Sequence, residues 1–364
     1  MARRVAAALS TIAVLVAAGA VTIPASGAGA AEPGLDIFDG FAASESVYMQ
    51  PRSNAVFALP ADQLIGATHA EINSQPRAQG YAATYGVPLA QNARGVGIPI
   101  DYYGQCYANY PGETVVECGV PLRPGPGLQG GQPGQGGGGA FNAKAEAGGD
   151  SSDPAKTLAR GITEGGGMFL GGAVSIGYSR SESKSFLADG TLHAVTRSVA
   201  QDVTVNGVLH IGTVKAAADA AHSGDFEGAT GEASTVMQDV TIGGVPVTVG
   251  PGGLMVQGQP IGQAPDAVAG PVLAAMAQGG LTIEPLPAPG VTRDADTGLV
   301  QATAAGFRVQ VLSPDGDGKF EIIFGRALAR AGAHRGEDEV PVDLPLGPTG
   351  QDTEAAWAPR RGPS

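Results

Sequence analysis

The chain has 364 residues, with 34 acids against 21 bases, for a net charge of −13 at pH 7. A surface that acidic, with lysine only at Lys144, Lys156, Lys184, Lys215 and Lys319, sets aside nucleic acid and anionic lipid as partners. With 58 glycines and 27 prolines, some of the chain is expected to be linker rather than core.

Residues 1–30 carry Arg3 and Arg4, then an apolar run from Val5 to Val21, then Pro24 and the small-residue site Ala28-Gly29-Ala30. That order of charge, apolar run and small residues is the pattern of a cleaved secretory signal. The run is shorter than the roughly 20 residues a membrane span needs. The expected localisation is therefore secreted, extracellular or associated with the cell envelope, with no transmembrane anchor after cleavage. Cleavage would also remove two arginines and no acid, leaving the rest more acidic still.

Residues 31–122 hold seven of the eight tyrosines, and short apolar runs such as Ala55–Leu59 are bounded by turn formers. This reads as a small β module. Its Cys106 and Cys118, the only two cysteines, are expected to form a structural disulfide in an oxidising compartment. Closing so short a loop would contribute about 2–3 kcal/mol. Residues 123–155 then turn to Pro-Gly and Gln-Gly repeats, with four consecutive glycines at Gly136–Gly139, and read as a linker.

Residues 156–331 read as a main antiparallel β domain. Two long runs, Thr191–Val205 and Val208 to about Ala221, meet at Asn206-Gly207, a strong hairpin turn. Val199–Val208 matches Val236–Val245 at seven of ten positions, which suggests an internal repeat. A helix is expected at 265–278, with Val268, Val272, Leu273 and Met276 on one side and Pro271 within it. Phe307, Val309 and Val311, and then Phe320, Ile322 and Phe324, alternate with polar residues, which predicts a closing hairpin with one face buried. Residues 332–364 read as a disordered tail. Their Leu344–Gly350 resembles a sortase signal, but with two residues too many and no apolar span after it.

The predicted fold class is thus mainly β: a large antiparallel sheet or sandwich of long hairpins with one packed helix, plus the small module. Thr204–Val208, Thr241–Val245 and Gly325-Arg326-Ala327 resemble the turn and closing-hairpin motifs of uncharacterised exported β-rich proteins of high-GC actinobacteria. The resemblance covers about residues 165–331 and is structural. It implies no activity and no catalytic residue.

No Gly-x-Ser-x-Gly elbow or His-Glu-x-x-His helix occurs, and no catalytic residue and no cofactor is assigned. A two-residue turn at Asn206-Gly207 would set His193 opposite Ala220 and diagonal to His222, within reach of one metal ion with Asp189 or Asp225. Two solvent-facing histidines without metal is the plainer expectation. Asp315 and Asp317 have calcium-loop spacing, but Asp-Gly is also what a tight turn wants. Asp202 and Asp239 recur with the repeat and are weighed as a glycosidase pair. They sit in strands, and the only tryptophan, Trp357, lies far off in the tail.

The functional expectation is a non-catalytic envelope or extracellular protein that acts through its surface on an unknown partner, or as a structural component. Two alternatives stay open. One is a carrier of an apolar, lipid-like ligand held between a curved sheet and the helix. The other is a hydrolase with a dispersed site.

Overall fold

A computed structural model describes residues 35–51, 63–86, 105–120, 141–312 and 319–334, apart from 36, 76, 113, 151–152, 154–155, 171–172 and 251. The stretches read above as a signal, a tail, an Asp315–Asp317 turn and a glycine run lie outside the described residues. The described part is mainly β. In chain order the strands begin with β1 (Ile37–Pro51), β2 (Gln63–Asn73), β3 (Arg77–Gly86) and β4 (Gln105–Tyr110). Next come β5 (Val115–Val120), β6 (Phe141–Gly148), β7 (Leu158–Leu170), β8 (Val174–Ala188), β9 (Thr191–Val205), β10 (Leu209–His222), β11 (Thr230–Ile242) and β12 (Val245–Pro246). Three short strands follow, β13 (Thr248–Gly250), β14 (Gly253–Val256) and β15 (Gln259–Pro260), then helix α1 (Asp266–Gln278). The chain closes with β16 (Leu281–Pro285), β17 (Gly290–Asp294), β18 (Leu299–Ala305), β19 (Phe307–Leu312) and β20 (Lys319–His334).

These strands form two large antiparallel sheets and one small one. The first sheet runs β16-β19-β20-β1-β2-β3-β4, with β17 and β18 attached through β20. The second runs β12-β11-β10-β9-β8-β7-β6-β5, and β13–β15 make the third. The two large sheets face each other as a sandwich, so inner residues alternate with outer ones along each strand.

Residues 31–122 are not a module of their own. β1 pairs with β20 from Ile37↔His334 to Pro51↔Phe320, so the first and last strands share the centre of one sheet. Phe38 and Ala42 on β1 are buried, at 1% and 0% exposed, and β1 needs a neighbour on both sides to place them there. β5 goes to the other sheet altogether. The linker reading also fails at its end: Phe141–Gly148 is strand β6, paired with β5 and β7. Ala143, Ala145 and Ala147 point inward and are buried there, an alternation of small residues that is easily mistaken for low complexity.

A transverse seam divides the sandwich. On β9, Ala200 faces in, Gln201 and Asp202 both face out, and Val203 faces in again. The same shift occurs after Ile176 on β8, Ile211 on β10 and Phe324 on β20. Asp202 (φ 50°), Asp239 (φ 55°), Gly66 (φ 58°) and Gly325 (φ 63°) mark it with left-handed backbone, which Gly and Asp tolerate best. The strands shift together at this row, so the register continues unchanged on both sides and no bulge forms.

On one side of the seam the core is large: Ile65, Ile176, Val203, Ile211, Phe307, Val309, Ile322 and Phe324 are buried together. On the other it is mostly alanine, including Ala42, Ala70, Ala145, Ala194, Ala218, Ala302 and Ala329, with Phe38, Ile72, Leu192 and Val300 among its few large members. Between them, hydroxyls bridge the sheets. Ser183 Oγ lies 2.8 Å from both Thr68 Oγ1 and Thr196 Oγ1, and Ser46 Oγ is 2.9 Å from Ser181 Oγ. Ser185 Oγ donates to the Ala70 carbonyl across the interface at 2.9 Å. At the alanine end the backbones themselves touch: a Cβ on Gly161 would strike the Tyr81 carbonyl oxygen, and one on Gly80 would sit 2.6 Å from that of Arg160.

Helix α1 closes the wide end. Val272 and Ala269 are buried, and Val268, Ala275 and Met276 pack beside the large-residue core. Leu273, expected on the buried side, is 50% exposed, because only a narrow stripe of this short helix meets the sandwich. Asn206 Nδ2 donates to the Gly279 carbonyl at 2.8 Å, which ties the β9–β10 turn to the helix end. Val247, Val249, Leu254 and Val256 of the small sheet and its approach fill the remaining space. The closing hairpin forms with Val309↔Ile322 and Val311↔Phe320, inner faces matched.

Candidate functional site

The sequence-derived site residues are placed apart. Leu209, not Val208, stands opposite Val205, and the ladder keeps that offset to its far end. Val208 is left outside the ladder, against Gly279 at the helix terminus, where a glycine Cβ would be only 2.9 Å from Val208 Cγ2. This single-residue slip moves side chains to other faces: His193 stands opposite Ala221 and His222 opposite Leu192. His193 faces out and stacks on Phe186 at 5.1 Å, with burial pushing its pKa down. His222 faces in, 1% exposed, and its Nδ1 accepts from the Gly224 N–H at 3.0 Å. One ion cannot bridge two faces of a sheet. The oxygen ligands weighed with them have turn duties instead. Asp189 (φ 51°) and Gly190 (φ 68°) form the β8–β9 turn, and Asp225 Oδ1 accepts from the Glu227 N–H. Among the described residues, no group of three or more His, Cys, Asp or Glu is placed to hold a metal.

Asp202 and Asp239 are exposed seam residues with the whole of β10 between them. Each lies flat over a glycine of the preceding strand, so that a Cβ on Gly177 or Gly212 would come within 2.7 Å of its own. Their conformation explains them without catalysis. Cys106 is buried on β4 with its sulfur 3.3 Å from the Ala143 carbonyl oxygen, and Ala143 is the register partner of Cys118 on β5. No free cysteine occurs among the described residues.

The concentration of chemistry that does form is on the outer face of the first sheet. Cross-strand pairing lays Gln301, Arg330, Phe41, Glu71, Gln79 and Asn109 in one row, and Ala43, His69, Tyr81 and Tyr107 in the next. Phe41 and His69 rings are 4.9 Å apart, Tyr81 and Tyr107 rings 4.8 Å, and the Arg330 guanidinium lies 5.5 Å over Phe41. His69 Nε2 is 3.4 Å from Glu71 Oε2. Further along the face, Arg326 pairs with Glu45 at 2.9 Å and stacks on Tyr48, and Arg308 pairs with Glu321 at 2.9 Å.

Two carboxyls on this face are driven in opposite directions. Burial raises Asp39 to about 6, helped by the nearby Glu71 charge and opposed by Arg330. Burial also pushes Glu71 up, but the His69 hydrogen bond and the His69 and Arg330 charges outweigh it, leaving Glu71 below the usual carboxylate range. Among the described residues, Asp39 Oδ1 is buried without a hydrogen-bond partner. A carboxyl that can hold a proton beside one that does not is the arrangement acid–base chemistry uses. An open hollow of about 450 Å³, lined by Thr292, Arg293, Asp294, Asp296, Leu299 and Gln301, adjoins it at the β17–β18 turn. Leu299 and Gln301 stand across β20 from the rows of Asp39 and Phe41.

Sequence reasoning did not find this cluster, because it draws on β1, β2 and β20, strands far apart in the chain that only pairing brings together. The one local signal is His69-x-Glu71, which puts both side chains on one face of any strand. No helix among the described residues is long and apolar enough to cross a membrane. Comparison with protein-family models, with curated proteins and with solved structures returns no match to this chain.

Proposed function

We propose that this chain is a non-catalytic, exported β-sandwich of the cell envelope or extracellular space, acting through its surface or as a structural part. The observation that carries this reading is the interior. One end is closed by backbone-to-backbone contact at Gly161 and Gly80, and the other is filled by Phe307, Phe324 and the aliphatic cluster under α1. A carrier of an apolar ligand needs a mostly preformed apolar chamber, and this packing speaks against one between the sheets. Export rests on the pattern of residues 1–30 alone. A Cys106–Cys118 disulfide joining the sheet edges at β4 and β5 belongs to the same reading, since an oxidising compartment favours it.

Native mass spectrometry of the secreted, never-denatured protein tests this. The expected result is the bare polypeptide from about residue 31 onward, two hydrogens lighter for the disulfide. A fixed mass excess that disappears on organic extraction would contradict it and restore the carrier.

A second reading rests on the outer-face cluster, where His69 Nε2 lies 3.4 Å from Glu71 Oε2 and the Arg330 guanidinium lies over Phe41, with burial raising Asp39 and its partners lowering Glu71. It makes the outer face of the first sheet a hydrolytic site with Asp39 as proton donor. Saturable turnover of a glycan, ester or peptide that is lost in Asp39→Asn would support it. Absence of turnover in the wild type across those substrates would dismiss it.

A further inference from the structure

Most sheet edges of this molecule are blunted. β12 contains Pro246, β15 contains Pro260, β16 ends in Pro285, and Pro287 and Pro289 precede β17. Proline on or beside an edge strand is one of the devices that prevents strand addition, along with short length, charge and bulges.

β11 has none of these over most of its length. It is 13 residues long, but its outer neighbour β12 covers only Thr241 and Ile242. Among the described residues, the stretch Thr230–Gln238 pairs with β10 on one side and with no strand on the other. It contains a single charge, Glu232, and no proline or lysine. Val236 is 45% exposed on this edge, and Val291, 38% exposed, lies over Gly231.

We infer that this edge is where a second copy of the chain adds, β11 against β11, antiparallel about a two-fold axis near Ser234. The free stretch is bounded by Ala229 on one side and the left-handed Asp239 on the other, and Ser234 is its midpoint. Pairing about that point sets Thr230 opposite Gln238, Glu232 opposite Val236 and Ser234 opposite itself on the outer face. Gly231 then meets Met237 and Ala233 meets Thr235 on the inner face. No charge meets its like. Glu232 of one copy instead joins the row of Val236 and Lys215 of the other, since Lys215 is the β10 partner of Val236. An opposite charge two strands away, about 10 Å at strand spacing, lies within a Debye length at moderate salt. Even-numbered residues face outward in both copies, so the second sheet continues across the axis without inversion.

The test is sedimentation equilibrium of the secreted full-length chain from 1 to 100 µM, beside Ser234→Lys and Val236→Lys. Both substitutions fall at exposed positions, so folding is checked by an unchanged unfolding midpoint. The expected result is a dimer for the wild type and at least a tenfold weaker association for each variant, strongest for Ser234→Lys, which sets two lysines against each other at the axis. A wild type that stays monomeric at 100 µM overturns the proposal, whether or not it binds an extended peptide. So does a dimer of undiminished affinity in folded Ser234→Lys.

Discussion

The two ends of the sandwich are built from the same strands and held together by different physics. On one side of the seam, Phe, Ile, Val and Leu side chains keep the sheets apart and fill the space between them. There, burial of apolar area and dispersion supply the cohesion. On the other side, alanine, serine and glycine bring the sheets so close that hydroxyls reach the opposite backbone. Each alanine buries little area, so cohesion there depends on fit and on satisfied hydrogen bonds. The lesson is that one end is sensitive to losing atoms and the other to gaining them. The seam of Asp202, Asp239, Gly66 and Gly325 lets each strand change its pleat once and serve both ends.

Substitutions of opposite sense should break that comparison if it is wrong. Gly161→Ala drives a methyl into the Tyr81 carbonyl oxygen of the facing sheet. Neither backbone can yield alone, and the expected result is failure to fold or a loss above about 4 kcal/mol in urea unfolding. At the wide end, Phe324, which packs on Phe307 at 5.5 Å between ring centres, should cost about 3–5 kcal/mol when changed to alanine. Ser183→Ala removes the hydroxyl that Thr68 and Thr196 both meet at 2.8 Å. Leaving those partners short of a bond inside a closed interface should cost about 1–3 kcal/mol, measured as a shift of the urea midpoint without change of slope.

A smaller effect sharpens the contrast between the inner and outer faces of the first sheet. Asp39 on the outer face has a pKa of about 6 against the ordinary 3.8, so between those values the folded protein holds a proton that the unfolded chain has released. Stability should therefore fall as pH rises through that window, by ~3 kcal/mol in all. Asp39→Asn should abolish that slope. Unfolding curves of both proteins between pH 4 and pH 7 read it directly, and parallel pH profiles would contradict the assignment of burial to Asp39.

Much of the architecture was legible where the signals are local. The Asn206-Gly207 turn, the alternation on β19 and β20 and the helix from Asp266 to Gln278 are readable because period and turn chemistry are properties of neighbouring residues. The pairing of β1 with β20 is not local, so the N-terminal strands read as a separate module. Asp202 looks like an ordinary polar residue in a β-branched run, and nothing beside it announces a left-handed backbone. Val208 illustrates the cost of a single residue: its displacement toward Gly279 shifted the ladder and put His193 and His222 on different faces. The outer-face cluster of Asp39, His69, Glu71 and Arg330 was out of reach for the same reason as the sheet order. Its members meet only after β1 has paired with β20.

The measurement that bears most directly on a filled interior is the stability of Ala218→Leu. Ala218 sits fully buried on β10 in the small-residue core, between Thr196 and Ala233. With the sheets in contact there, three added carbons have nowhere to go, and urea unfolding should show a loss of about 3 kcal/mol or more. A variant as stable as the wild type would mean that the sheets enclose usable space, and the non-carrier reading would fall with it.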